Sequence, residues 1–175
     1  LLYKVNVDKD EVLAAHFGVK SIPMVLFVPT KGMPIQTLGN IPEGTTQEDT
    51  FIAIRETVSF LMKQGIIPVF LASGVENTYA LYRAFDSMEQ MVNLACVSPL
   101  FGFGDEYEIF SEDSYMSRIL METPTHLNHF SNIGYQTYYN PQESKDLLDK
   151  MFFESYRLGE ITSYMEQVEP ILRNT

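Results

Sequence analysis

The pattern of apolar and polar positions predicts alternating strands and helices along most of the chain. Residues 66–71 form a short apolar run with β-branched residues, typical of a strand buried on both faces. Small residues then break the run, and helical spacing resumes at Tyr79, Tyr82 and Phe85. Ligands gather beyond the carboxyl ends of such strands in doubly wound sheets. Residues 72–77 are therefore expected to border a site.

The segments on either side of this unit predict further elements. Residues 45–48, Thr-Thr-Gln-Glu, offer a capping box for a helix that reaches Lys63. Residues 92–97 form the next predicted buried strand. A right-handed crossover between the two strands would bring residues 98–104 close to residues 72–77. The buried stripe of the first helix is expected to be Phe51, Ile54, Val58, Leu61 and Met62.

The carboxyl half of the chain predicts a helix, a strand and a second helix. The helix is predicted at residues 114–121, and the strand, with a kink at Gly134, is predicted at residues 125–139. Asn140 is expected as the N-cap of the last helix, with Pro141 at its first position and Gly159 as its C-cap. Its buried side is expected to comprise Leu147, Leu148, Met151, Phe152, Ser155 and Leu158.

Residues 1–37 predict a strand, a helix, the tripeptide Ser-Ile-Pro and two strands joined by a turn. This order resembles the carboxyl half of a thioredoxin fold, in which the proline matching Pro23 is cis and contacts the substrate. Thiol–disulfide exchange needs a reactive thiolate and a resolving thiol, and residues 1–37 contain no cysteine. A structural remnant is therefore favoured over a redox centre, and any Cys-x-x-Cys would lie upstream of Leu1.

Residues 38–175 carry a second resemblance, in LGNIPEGTTQEDTFIAIRETVSFLMKQGIIPVFLASGVENTYALYRAF, IGYQTYY and YRLGEI. They resemble the arginase, agmatinase and formimidoylglutamase superfamily, the ureohydrolases, and its divergent branch in Bacteroidetes-type bacteria. The resemblance implies α/β architecture: part of a three-layer α/β/α parallel sheet of the arginase/deacetylase type, preceded by the thioredoxin-like strand-helix-strand-strand fragment. The domain boundary is expected near Leu38, as a true fusion, a rearrangement or two stretches of a longer chain.

The resemblance also implies where a two-manganese centre would lie. The family's Gly-Gly-Asp-His segment matches residues 72–75, so Val75 replaces a histidine ligand. The family's Asp-x-His-x-Asp segment supplies further ligands, and Ser98, Leu100 and Gly102 stand in those positions. None of the four is a competent manganese ligand. The expectation is a degenerate site without metal or cofactor, with Ser73, Gly74, Glu76, Asn77, Phe101 and Asp105 as the pocket-lining candidates.

Two other groups of residues have a functional and a structural interpretation. The acidic residues between Asp105 and Asp113 lack the ligand register of a calcium loop, which favours a solvated acidic loop. His126 and His129 are three apart on a predicted strand, so they face opposite sides and are expected to be ordinary polar histidines. The tyrosines at 135, 138 and 139 are expected to pack in the core or at its rim.

Composition limits the remaining possibilities. The net charge of −11 argues against nucleic-acid binding, and no apolar run is long enough for a transmembrane helix. A single cysteine, Cys96, excludes an internal disulfide and fits a reducing compartment, so a cytoplasmic location is expected. The chain begins at Leu1 inside a predicted strand, and a preceding segment is expected.

These features leave three hypotheses for function. The first is a non-catalytic ureohydrolase-fold protein with an interaction or structural role. The second is a manganese-dependent hydrolase of carbon–nitrogen amidine bonds completed by a missing segment, with Glu76, Asp105 and His126 as local donors. The third is a thioredoxin-like redox module. Because an incomplete thioredoxin half exposes strand edges, residues 1–37 are expected to add strands to the arginase-like sheet, to form a contact with a protein partner or second copy, or to belong to a larger polypeptide.

Overall fold

The computed structural model describes residues 24–27, 36–72, 74–104, 113–161, 166 and 168–175. The chain forms two compact units, Leu1–Met88 and Glu89–Thr175. The first strand and the helix predicted within residues 1–37, and Pro23, lie outside the described residues. The domain boundary near Leu38 separates two resemblances and stays a prediction.

The sheet of the first unit is antiparallel. It contains β1 (Met24–Phe27), β2 (Gln36–Asn40) and β3 (Pro68–Leu71) in the order β2-β1-β3. β1 pairs with β2 on one side and with β3 on the other. β1 lies within residues 1–37 and β3 lies beyond the predicted boundary, so a strand from each side of that boundary pairs in this sheet. The assignment of the two segments to two families stays a prediction.

Two helices belong to the same unit, α1 (Gln47–Lys63) and α2 (Asn77–Asp86). α1 begins with a capping box as predicted, but one residue later than the predicted residues 45–48. The Asp49 amide donates to Thr46 Oγ1 at 3.1 Å, and the Thr46 amide donates to Asp49 Oδ2 at 3.0 Å. The predicted stripe is buried except for the half-buried Met62. Phe51 of α1 meets Tyr79 of α2 edge to face, with ring centroids 5.8 Å apart. Every residue of β3 is buried, as its apolar run predicted.

The sheet of the second unit is parallel. It contains β4 (Val92–Val97), β5 (Leu127–Tyr135) and β6 (Glu154–Arg157) in that order. The bounds of β4 are as predicted. The prediction that the whole strand is buried is wrong: side chains alternate along a strand, and Val97 is 76% exposed. β3 and β4 are assigned to different sheets in the part of the chain that is described, so the crossover predicted within one sheet is not observed there.

The remaining elements are helical. They are α3 (Tyr115–Met121), a 3-10 turn (Thr137–Tyr139), α4 (Gln142–Lys150), α5 (Leu158–Ile161) and α6 (Val168–Asn174). α3 was predicted. β5 ends earlier than expected, beyond the kink at Gly134, which has a φ of +91°.

The helix predicted to reach Gly159 ends at Lys150, and this prediction was wrong. Pro141, not Asn140, occupies the N-cap position, and β6 follows the helix because it pairs with β5. Of the side chains predicted to be buried, Leu148 is, whereas Leu147 is 39% exposed. Sequence periodicity could not show that the helix ends at Lys150, because β6 forms through pairing with β5, which lies earlier in the chain.

A Schellman motif ends α4. The Phe153 amide donates to the Leu148 carbonyl at 3.0 Å and the Phe152 amide to the Asp149 carbonyl at 3.1 Å. Phe152 has a φ of +59° and is 88% exposed. A bulky residue therefore occupies the left-handed position at which glycine is favoured.

We expect Phe152→Gly to raise the free energy of unfolding by about 0.5–1 kcal/mol, since relief of left-handed strain exceeds the added entropy of the unfolded chain. Urea denaturation measures it. Met151→Gly is the matched control in the same turn, and it should lower the free energy of unfolding because Met151 has a φ of −87°. A lower stability for Phe152→Gly would contradict the argument.

Candidate functional site

The loop that follows β4, residues 98–104, is held by the side chain of Asn140. Asn140 Oδ1 accepts a hydrogen bond from the Phe101 amide at 2.8 Å. Its Nδ2 donates to the carbonyl of Pro99 at 2.7 Å and to that of Gln136 at 2.9 Å. One amide thus satisfies three backbone groups, two of them in a loop about forty residues earlier in the sequence.

Strand β5 and the residue that follows it also hold this loop by hydrogen bonds. Asn132 Nδ2 donates to the Leu100 carbonyl at 3.0 Å, and the Gln136 amide donates to the Pro99 carbonyl at 3.1 Å. The Ser98 amide donates to the Ile133 carbonyl at 3.2 Å. The Ser98 hydroxyl accepts from the Leu100 amide at 3.1 Å, and Ser98 is 8% exposed. This hydroxyl is therefore engaged in shaping the turn.

Gly102 has no room for a side chain. Its φ is +77°, a conformation that other residues rarely adopt, and a Cβ built there would overlap the ring of Tyr115. Its carbonyl accepts hydrogen bonds from the amides of Met116 at 3.0 Å and Ser117 at 3.3 Å. The start of α3 thus closes over Gly102, the position that the resemblance predicted to match a carboxylate ligand.

Tyr115 is buried beneath the loop, and its hydroxyl donates to Cys96 Sγ at 3.3 Å. Burial raises the pKa of Tyr115 well above its usual value, and the charge and hydrogen bond of Cys96 raise it further. The hydroxyl accordingly stays neutral and remains a donor at ordinary pH. Phe101 is also buried and packs against Tyr135 with ring centroids 4.9 Å apart.

The turn that follows β3 belongs to the first unit, Leu1–Met88. Asn77 is 8% exposed, and its Nδ2 donates to the Gly74 carbonyl at 3.2 Å and to Glu76 Oε1 at 3.3 Å. The Glu76 carboxylate covers Gly74, where an added Cβ would overlap it. Val75 is half-buried.

Glu76 and Asn77 line an open cleft of about 270 Å³ at the amino end of α1. Its charged lining residues among those described are Glu43 and Glu76, both acidic. The other lining residues are Gly44, Thr45, Thr46, Gln47, Thr50, Phe51 and Asn77. Two pocket-lining candidates thus share a surface with the capping box, and their role in binding stays a prediction.

The remaining predicted residues are dispersed or undescribed. Ser73, Asp105 and Pro23 lie outside the described residues. His129 Nε2 lies 3.2 Å from Ser131 Oγ and 3.7 Å from Glu154 Oε2, while His126 precedes β5. Within the described ranges, no three side chains of histidine, cysteine, aspartate or glutamate are grouped as metal ligands. No helix among the described residues is long and apolar enough to cross a membrane.

The fold is that of the ureohydrolases. Three solved structures match it: the formiminoglutamase of Trypanosoma cruzi with Mn2+, the formimidoylglutamase of Bacillus subtilis, and an arginase-like protein of Trypanosoma brucei in an oxidised form. Their TM-scores are 0.64, 0.65 and 0.55, at 14%, 13% and 15% sequence identity. The matches cover 72%, 78% and 70% of this chain but 43%, 46% and 37% of those chains. The chain therefore spans less than half the length of each.

A thioredoxin of Borreliella burgdorferi is 39% identical over 49 residues. The match covers 28% of this chain and 38% of the thioredoxin. It supports the resemblance of part of this chain to part of a thioredoxin. No protein-family model matches the chain.

The sequence did not reveal the two asparagines that hold the loop. Asn140 precedes a proline and was interpreted as a helix cap, and Asn132 lies within the predicted strand at residues 125–139 among other polar residues. The signal available for Asn132 was a polar residue at a buried position, since buried amides require partners. For Asn140 no local signal exists, because its partners Pro99 and Phe101 are distant in sequence.

We expect Asn140→Ala to lower the free energy of unfolding by about 2 kcal/mol, because three hydrogen bonds of roughly 0.5–1.5 kcal/mol each are lost. Amide hydrogen exchange at Phe101 should accelerate, since its acceptor is removed. Urea denaturation and exchange mass spectrometry measure the two effects. Asn128→Ala is the control, because Asn128 is exposed and bonds only the exposed Asn93 side chain among the recorded contacts; equal effects in both variants would refute the role of Asn140.

We expect Gly102→Ala to lower the free energy of unfolding by about 3 kcal/mol, from left-handed strain and overlap with Tyr115. Gly159→Ala is the matched control, since an added Cβ there meets nothing within 4 Å. Thermal and urea denaturation of both variants provide the measurement. A Gly102→Ala variant as stable as the parent would show that the loop has room for a side chain.

Proposed function

We propose that this chain is a non-catalytic ureohydrolase-fold protein with an interaction or structural role. The observation that carries the proposal is the loop after β4, which hydrogen bonds hold to its own backbone and to Asn132 and Asn140. The Ser98 hydroxyl is bonded to the Leu100 amide, and Tyr115 occupies the space beside Gly102. Manganese in such a centre needs several convergent oxygen and nitrogen ligands. The side chains at 98, 100 and 102 do not supply such a set.

Exposed apolar side chains support the interaction role. Val97 at the end of β4 is 76% exposed, Phe60 of α1 is 64% exposed, and Phe152 is 88% exposed. Contiguous exposed apolar surface is a mark of protein–protein contact, and these three side chains are the places at which we propose to look for it. We infer that the partner is another protein or a second copy of the chain, and that the protein acts in the bacterial cytoplasm.

A second candidate is a manganese-dependent hydrolase of amidine bonds completed by a further segment. It is supported by the likeness to formiminoglutamase with Mn2+. The match covers 43% of that structure, and the further segment would correspond to the part that is not covered. Its local donors would be Glu76, Asp105 and His126. A thioredoxin-like redox module is a third candidate, supported by the 39% identity over 49 residues. It requires a Cys-x-x-Cys outside this chain, whose single cysteine is Cys96.

Metal analysis separates the first two candidates. We expect the purified protein, equilibrated with manganese chloride and then dialysed, to retain no stoichiometric manganese by inductively coupled plasma mass spectrometry. It should release no urea from arginine and no formamide from formiminoglutamate.

Glu76→Gln and His126→Gln provide the controls, because each removes a donor that the hydrolase would need. Retention of about two manganese ions per chain, abolished by either substitution and accompanied by urea or formamide, would overturn the proposal. The same low manganese content in parent and variants supports it.

A further inference from the structure

Three side chains form a polar row across one face of the parallel sheet. Cys96 of β4 is paired in register with Asn132 of β5, and Asn132 with Ser155 of β6. Residues paired in this way on adjacent strands point to the same face of a sheet. Cys96 Sγ accepts from the Tyr115 hydroxyl at 3.3 Å. The Asn132 Oδ1 and Ser155 Oγ atoms are buried and have no hydrogen-bond partner in the described part of the chain.

The orientation of the Asn132 amide is fixed by the loop above it. Asn132 is fully buried, and its Nδ2 donates to the Leu100 carbonyl at 3.0 Å. Rotating the amide by half a turn would set Oδ1 against that carbonyl, and two acceptors repel each other. Oδ1 therefore points away from Leu100 and requires a donor from another direction, because a buried acceptor left unpaired costs free energy.

Ser155 offers a hydroxyl on the neighbouring strand, but not as a direct partner. Adjacent strands lie about 4.8 Å apart, and no hydrogen bond joins the two side chains among the described contacts. Both side chains stand on the same face of neighbouring strands, and a water molecule is the smallest group that can bond both atoms. Such a molecule needs at least two polar partners in a buried position.

We propose that Asn132 and Ser155 bind one internal water molecule between β5 and β6. The water donates one hydrogen bond to Asn132 Oδ1 and forms a second with Ser155 Oγ. It extends a chain of contacts that runs from the Leu100 carbonyl through the Asn132 amide to β6. The site thereby links the loop after β4 to the edge strand of the sheet.

The test is magnetic relaxation dispersion of water, which counts long-lived internal waters. We expect Ser155→Val to contain one fewer long-lived water than the parent chain, because an isopropyl group replaces the hydroxyl and fills the position. Ser131→Ala is the matched control. Ser131 lies on β5, is fully buried and has recorded partners in His129, Glu154 and Thr175, so its substitution should leave the count unchanged.

A crystal structure of the parent protein provides an independent measurement if Ser155→Val does not fold. Density for a water within hydrogen-bond distance of Asn132 Oδ1 and Ser155 Oγ supports the proposal. A Ser155 hydroxyl turned to donate directly to Asn132 Oδ1, with no water between them, overturns it. An equal water count in parent and Ser155→Val, or a loss of the same water in Ser131→Ala, also overturns it.

Discussion

The loop after β4 depends on side-chain amides that satisfy its backbone. A loop at the end of a parallel strand leaves peptide groups without ladder partners, and unpaired buried groups are costly. Here Asn140 and Asn132 bond the backbone of Pro99, Leu100 and Phe101. These contacts tie β4 to the end of β5 and to the start of α4. The geometry of the loop is therefore determined by three separate stretches of the sequence.

Local sequence patterns predicted the elements whose stability is local. The capping box at Thr46 and the apolar stripe of α1 specify that helix without reference to other parts of the chain. The buried strand β3 was likewise evident from its composition. β6 was not predicted, because Glu-Ser-Tyr-Arg has no strand-like alternation and becomes a strand only through pairing with β5. Tertiary pairing overrides propensity in such segments.

The candidate site was predictable in chemistry and not in geometry. The resemblance to ureohydrolases predicts that Val75, Ser98, Leu100 and Gly102 stand at ligand positions, and this stays a prediction. It could not show that the Ser98 hydroxyl bonds the Leu100 amide, because that depends on the conformation of the turn. Nor could it place the Tyr115 ring against Gly102, since the contact joins the loop to a later helix. Contacts between distant segments follow from the fold.

Gly102, where the resemblance predicts that the family has a carboxylate ligand, is constrained by the packing of the second unit. A carboxylate there would need both a backbone conformation that tolerates a Cβ and space beside the ring. The backbone does not meet the first requirement, because its φ is +77°. The space is not available either, because the Tyr115 ring occupies it. Tyr115 is itself fixed, because it is fully buried and donates to Cys96. A carboxylate at Gly102 would thus require a core aromatic residue to move away from β4, so a single substitution there does not fit the observed packing.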